Sequence, residues 1–434
     1  MKRLLSFAIA LVLILSACTP APAAVPASDA PAQSNQPAAP AKSDKVVLKY
    51  WNGFTGPDGA ALEALVKQFN DSHPNIEVQM DIMPWDSLFQ KLLTSMTVGG
   101  EPDLAAFSFR NMPEYAKAGV LMPLDDLYGP SGIDPQTLPP AYLDIIKCDG
   151  KYYGAPMNFA TLMMYYNKDL FKAAGLDPEN PPKTWEEWTA AVEKLTKDEN
   201  GDGKPEQYGL VLADHETIPM WPILVWGNGG KYISDDGAKS MLDDPKTIEA
   251  FQLWGEMVAK QGISPVGLTG GEADKLFETG KAAMEMNGPW MTGGYTKAGL
   301  NYDVAPIPAG PGGQVTLADA VVMVVNKNTK HKEAAYEFIK FWNSKETQAA
   351  WSLGTGFPPA RTDLDESAVS SNPFVAKFAA AASYARFYLP GLTKFTAVDG
   401  DVITPAIQTI TRGLKPADVT LKDAAAQMNE LIKP

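Results

Sequence analysis

Residues 152–188, YYGAPMNFATLMMYYNKDLFKAAGLDPENPPKTWEEW, read as one passage from a first lobe into a second. A strand-like run over 162–166 leads into Asn167-Lys168-Asp169 and a short helix that stops at Gly175. Pro178, Pro181 and Pro182 keep the next loop out of helix, because proline lacks an amide hydrogen and clashes with the preceding turn. Thr184 then stands where an N-cap belongs. Its hydroxyl can accept from the free N–H groups of the next turn, and Glu187 lies three residues on, the capping-box spacing.

Upstream, Lys2 and Arg3 precede an apolar run over 4–15, too short to span a bilayer and shaped like the core of a signal peptide. Leu15-Ser16-Ala17-Cys18 matches the lipobox of exported bacterial lipoproteins, so residues 1–17 are expected to be removed and Cys18 acylated. Residues 18–44 are Ala, Pro, Ser and Gln with almost no bulky apolar side chains. They cannot bury enough surface to offset chain entropy, and they read as a disordered tether with a reach of roughly 28 Å. Lipid on Cys18 would hold the protein on the outer side of a membrane of the cell envelope.

The remainder is too long for one core and suggests two lobes. Hydrophobic residues make up 45% and charged residues 20%, as in a globular protein, and the formal charge of −14 with no basic stripe disfavours nucleic acid and anionic membranes as partners. Cys148 is the only cysteine besides Cys18, so no disulfide within the chain is expected after acylation, and Cys148 reads as a half-buried core residue.

In the first lobe, strand patterns over 46–51, 76–82 and 103–107 alternate with helical patterns over 60–70 and 85–97, the former with Leu62, Leu65, Val66 and Phe69 on one stripe. That β-α-β-α-β order implies parallel pairing with helices on the faces, and ligands beyond the carboxyl ends of the strands. In the second lobe, helices are expected over 184–196, 245–260 and 273–279, with strands over 208–212 and 303–308.

The string YYNKDLF-x-x-AGL followed by PPKTWEEW, and Gly280-Lys281-Ala282-Ala283-Met284 followed by Gly288-Pro289-Trp290, resemble the extracellular solute-binding proteins of carbohydrate-uptake ABC transporters, the maltose-binding-protein-like family. The resemblance runs from about Val46 to the C-terminus. It implies a two-lobe α/β periplasmic-binding-protein fold crossed three times by the chain, with lobes at 45–158 plus 319–361 and 159–318 plus 362–434. It also implies a sugar ligand, a di- or oligosaccharide, and as partners a membrane permease with a cytoplasmic ATPase.

A sugar ring offers an apolar C–H face and a rim of hydroxyls, which call for an aromatic plate and for Asp, Asn or Arg side chains respectively. Ten tryptophans are present, and several fall in loops at strand ends beside such polar residues. The candidate ligand residues are Trp51, Asn52, Asp58, Trp85, Arg110, Trp226, Asn228, Asn287, Trp290 and Asp319. Arg110 and Asp319 serve equally well as a lobe-stabilising ion pair, and Trp51, Trp85, Trp226 and Trp290 as core. Trp185, Trp188, Trp254 and Trp342 occupy apolar helical positions and read as core. The segment Gly354-Thr355-Gly356-Phe357-Pro358-Pro359-Ala360-Arg361 resembles one that lines the cleft in the same family, with Thr355 or Phe357 as the contact and Arg361 structural.

Asp198, Asn200, Asp202, Lys204 and Glu206 follow the spacing of a calcium loop, in which the seventh position contributes its backbone carbonyl. Gly209 stands where the bidentate glutamate belongs, so a structural Ca²⁺ and a solvated turn both remain open. No catalytic motif is present: His215-Glu216 has no second histidine at metalloprotease spacing, and there is no nucleophile elbow, P-loop or dinucleotide-binding turn. A glycoside hydrolase needs only two carboxylates and remains the rival, as does a receptor for a polyol or glycerol phosphodiester.

Overall fold

A computed structural model describes residues 45–214 and 218–433. The expected signal peptide, Cys18 and tether lie outside the described residues, as does His215-Glu216.

The first sheet is built as the alternation demands. Strand Val46–Asn52 buries Leu48, Tyr50 and Asn52 on one face, and helix Gly59–Ser72 packs Leu62, Leu65, Val66 and Phe69 inward. Strands Ile76–Ile82 and Leu104–Ser108 flank Val46–Asn52, both parallel to it, in register from Val46↔Ile76 to Asn52↔Ile82 on one side and at Tyr50↔Leu104 on the other. Every residue of Leu104–Ser108 is buried, as befits a central strand covered on both faces. The sheet is completed by Val321–Val325, antiparallel to Leu104–Ser108, and by the short edge strand Ala155–Pro156.

The second lobe holds an antiparallel sheet in the order Tyr302–Ala305, Met163–Asn167, Met284–Asn287. Asn167 ends its strand and caps helix Lys168–Ala173, its side chain accepting from the amides of Asp169 and Leu170. The Thr184 hydroxyl accepts from the Glu187 amide and starts helix Trp185–Leu195, whereas Glu187 reaches back to the amide of Lys183 instead of Thr184. Two expectations are corrected. Residues 208–212 make only parallel bridges at Tyr208↔Ala282 and Val211↔Glu285, not a continuous strand. The strand expected over 303–308 stops at Ala305, because Pro306 and Pro308 have no amide hydrogen to extend the ladder.

A third small sheet joins the lobes: Ala385–Phe387 runs parallel to Thr316–Asp319, which runs antiparallel to Ala160–Thr161. Its threonines are fully used, Thr161 Oγ1 donating to the Phe378 carbonyl at 2.7 Å and Thr316 Oγ1 to that of Leu162 at 2.6 Å. Two large apolar cores lie on either side. One contains Tyr50, Phe69, Trp342 and Trp351; the other contains Trp188, Trp221 and Trp254. The chain passes from one core to the other between Ala160 and Leu162, returns between Leu317 and Ala320, and leaves again after Ala360. Cys148 is half-buried against the first core, and burial pushes its thiol above the ordinary range, which suits a packing residue.

Candidate functional site

Between the cores lies a cavity of about 410 Å³ whose walls come from both lobes. The first lobe contributes the loop after Val46–Asn52, the start of helix Trp85–Thr97 and the residues after Leu104–Ser108. The second contributes the start of helix Gly270–Glu278, the end of strand Met284–Asn287 and the Pro289–Met291 turn. The strand ends thus meet across the gap, where open α/β sheets bind ligands.

Each wall carries one half-exposed indole laid on a glycine. Trp85 lies over Gly53, where a Cβ would come within 2.1 Å of the ring, and stands edge-on to Phe54 at 5.3 Å. Trp290 lies over Gly288, where a Cβ would come within 1.9 Å, and its ring centroid is 6.1 Å from that of Phe357. In both places an Asn-Gly pair supplies the bed: Asn52-Gly53 and Asn287-Gly288.

Of the candidate residues, Asp58, Trp85, Arg110, Asn287, Trp290, Asp319 and Phe357 line the cavity. The others do not, and each has a local reason. Trp51 alternates out of phase with Tyr50 and Asn52, and its indole N–H bonds Asp81 at 3.0 Å on the outer side of the sheet. Asn52 is fully buried and accepts from the Phe54 amide, shaping the loop from behind. Trp226 sits in the all-apolar helix Trp221–Gly227, started by Pro222, and packs in the second core near Tyr388. Asn228 caps the end of that helix and donates to the Lys246 carbonyl at 2.7 Å. Thr355 turns its hydroxyl back to the Trp351 carbonyl at 2.6 Å. Arg361 pairs with Asp363, a bracing role.

Arg110 and Asp319 both line the cavity and bind each other, Nη1 to Oδ1 at 2.8 Å with both side chains buried. Burial raises the Asp319 carboxyl above its ordinary range and the Arg110 charge opposes that rise. The Asp58 carboxyl, at the start of helix Gly59–Ser72, is pushed up to about 7 by burial, against the pull of its own amide and that of Gly59. Residues that the sequence did not single out also face the cavity: Phe54, Asn158, Met291 and, in particular, Asp274, whose Oδ1 accepts from Asn287 Nδ2 at 2.7 Å. The capping box Thr269/Glu272 marks the helix that bears Asp274 but not which face turns inward.

The 198–206 loop does not line this cavity and is held by its own turns. The Asp198 carboxylate accepts from the amides of Gly201 and Gly203, Asn200 Oδ1 from that of Asp202, and Asp202 Oδ1 from that of Lys204. Glu206 accepts from the Glu199 amide and from Asn200. Among the described residues no three His, Cys, Asp or Glu side chains gather as a metal site.

Because the glycine beds fix both indoles, Gly288→Ala should push Trp290 out of place. The expected outcome is an altered near-ultraviolet circular dichroism and a loss of about 1–3 kcal/mol in denaturant unfolding, the usual cost of overpacking. An unchanged spectrum and stability would show that Trp290 does not depend on Gly288.

The family model described as bacterial extracellular solute-binding protein matches residues 54–349. A Brucella abortus (strain 2308) protein named only as a binding protein is 30% identical, with 88% of this chain and 92% of that protein covered. The maltotriose-binding protein of Pyrococcus abyssi is 27% identical over 87% of this chain and 80% of its own length. The sn-glycerol-3-phosphate-binding periplasmic protein of Rhizobium meliloti is 26% identical over 72% and 74%. Among solved structures, the ABC transporter solute-binding protein of Thermotoga lettingae bound with α-D-tagatose superposes with a TM-score of 0.80 at 22% identity, covering 90% of this chain and 100% of that one. That likeness establishes the two-lobe α/β fold. The chain belongs to the bacterial extracellular solute-binding proteins.

Proposed function

We propose that this protein is the substrate-binding component of an ABC importer and captures a carbohydrate, a di- or oligosaccharide, in the cavity between its lobes. The observation that carries this reading is the pair of indoles, Trp85 and Trp290, presented by opposite walls of a cavity of about 410 Å³ that also exposes carboxylate and amide groups. The volume lies within the roughly 300–1,000 Å³ usual for small-ligand sites. Aromatic plates cover the C–H faces of sugar rings while Asp58, Asn158, Asp274 and Asn287 meet hydroxyls. A micromolar dissociation constant corresponds to about −8 kcal/mol, which one or two stacked rings and a few buried hydroxyl bonds can supply after the closure cost. Because the contacts come from both lobes, ligand stabilises the closed form, and that form delivers the sugar to a membrane permease driven by a cytoplasmic ATPase.

Charge argues against a glycerol phosphate or phosphodiester. Four carboxylates line the cavity, Asp58, Asp86, Asp274 and Asp319, and among the described residues the cationic side chain there is Arg110, already bound to Asp319. A phosphate would want a basic cluster or a bidentate arginine. The sugar is bound and released unchanged, with no catalytic role for these carboxylates.

A thermal-shift panel of maltotriose, mannobiose, tagatose and sn-glycerol 3-phosphate tests the reading. Stabilisation by a sugar and none by the phosphate is expected, and Trp290→Ala should weaken sugar binding by about 2 kcal/mol, on the order of 30-fold. Stabilisation by the phosphate alone, or release of shorter products from maltotriose, would overturn it.

The same reading makes Cys18 the site of a lipid anchor. Radiolabelled fatty acid fed to expressing cells should enter the wild type and not Cys18→Ser; equal labelling of both would remove the anchor.

A structural calcium in the 198–206 loop rests on ligand spacing alone. Calorimetric titration of chelator-treated protein with Ca²⁺ should give heat and a raised Tm if that loop binds the ion, and neither if it does not.

A further inference from the structure

Asp58 stands where the loop after strand Val46–Asn52 enters helix Gly59–Ser72, and it lines the cavity although only 7% of its surface is exposed. Elsewhere in the chain an aspartate before a helix turns its carboxylate onto the first free amides, as Asp244 does on Lys246 at 2.9 Å and Asp365 on Ser367 at 2.8 Å. Asp58 does not. Its own backbone is already helical, at φ −71° and ψ −20°, and its side chain makes no cap. The carboxyl lies over the loop instead, with Oδ1 3.1 Å from where a Cβ on Gly56 would stand, and Thr55 and Gly56 line the cavity as well.

The charged groups around Asp58 decide what form its carboxyl takes. Among the described residues no lysine, arginine or histidine forms an ion pair with it. Arg110, the cationic side chain of the cavity, is bound to Asp319 at 2.8 Å. The other titratable side chains of the cavity are those of Asp86 on helix Trp85–Thr97 and Asp274 on helix Gly270–Glu278, both acids. On Asp58's own helix the nearest charge is the exposed Glu63. Helix Lys345–Thr355 meets the start of that helix with its uncharged end, Gly354 against Ala61. Helix Thr292–Lys297 meets Pro57 with Gly294, and its charge, Lys297, is exposed at the far end. A carboxylate enclosed without a cation is disfavoured against its neutral acid. Burial accordingly raises the Asp58 carboxyl to about 7, against the pull of the amides of Asp58 and Gly59.

We propose that Asp58 couples ligand capture to a proton: in the empty cavity it holds one below neutral pH, and it releases that proton to solvent when a ligand hydroxyl donates to its carboxylate. This rests on the cavity being the sugar site. A ligand acts on Asp58 in two opposing ways. Covering the group disfavours its charge, but with 7% of its surface left to cover, little is added. A hydroxyl that donates to the carboxylate favours the charge, because a hydrogen bond to an ionised acceptor is about twice as strong as one to a neutral acceptor. The second effect is the larger, so bound ligand loosens the proton. By linkage, affinity for the ligand rises as pH rises.

Titration calorimetry with maltotriose tests the coupling. Wild type should bind roughly fivefold more tightly at pH 8 than at pH 6, the change produced by a tenfold weaker hold on the proton in the bound state. It should also release about 0.4 proton per ligand at pH 7, read as a dependence of the heat on the ionisation enthalpy of the buffer. Asp58→Asn keeps an acceptor for the ligand but has no proton to lose, so its affinity should be equal at the two pH values and its heat equal in every buffer. Wild-type binding that is flat in pH, or the same pH dependence in Asp58→Asn, would overturn the coupling and leave the sugar reading intact.

The proton itself is checked without ligand. The folded protein keeps a proton that the unfolded chain releases near pH 3.8, so this group's contribution to stability is full below that pH and is lost as pH rises through about 7. The Tm of Asp58→Asn relative to wild type should therefore climb between pH 4 and pH 7 and level off above. A flat difference would overturn the protonated Asp58. Absence of maltotriose binding at every pH would count against the sugar reading and the coupling together, while a climbing Tm difference would still place the proton on Asp58.

Discussion

The contact on which the rest of the structure depends is the buried pair of Arg110 and Asp319. Arg110 follows the central strand of the first lobe, and Asp319 ends the crossing strand Thr316–Asp319, so their 2.8 Å bond ties a lobe to the sheet that joins both lobes. The guanidinium also lies 5.7 Å from the Phe395 ring, which belongs to the second core. Removing one partner of such a pair leaves an uncompensated buried charge, typically at a cost of about 3–5 kcal/mol. The same bond engages the cationic side chain of the cavity floor, so the charge there is mainly that of the carboxylates. Architecture and ligand preference thus share one interaction.

The two walls repeat one device. An Asn-Gly pair at a strand end lets an indole lie flat on the backbone, once in each lobe, so each aromatic plate is held before any ligand arrives. Fixing the plates in advance lowers the ordering cost that binding would otherwise meet. The walls belong to separate cores, and the segments Ala160–Thr161 and Thr316–Asp319, paired antiparallel, carry the chain between them.

Much of this was legible in the sequence. Strand-helix alternation over the first lobe marked the three parallel strands of its sheet, and the proline loop with Thr184 marked the start of helix Trp185–Leu195 in the second. The failures have physical causes. Trp51 follows the parity of a strand whose inward positions are Leu48, Tyr50 and Asn52, so its presence at a strand end did not place it in the gap. Trp226 lies in a seven-residue apolar helix, and a run that short has no periodicity to separate buried helix from loop. Asp274 was missed because an amphipathic helix offers several equivalent polar positions, and only its docking chooses the one that faces a ligand.

The central claim is that ligand contacts drawn from both lobes favour a closed form. Small-angle X-ray scattering on the protein with and without the sugar that stabilises it most measures this directly. The account predicts a smaller radius of gyration with saturating sugar, reversed on its removal. An unchanged radius of gyration in the presence of a sugar that demonstrably binds would contradict it.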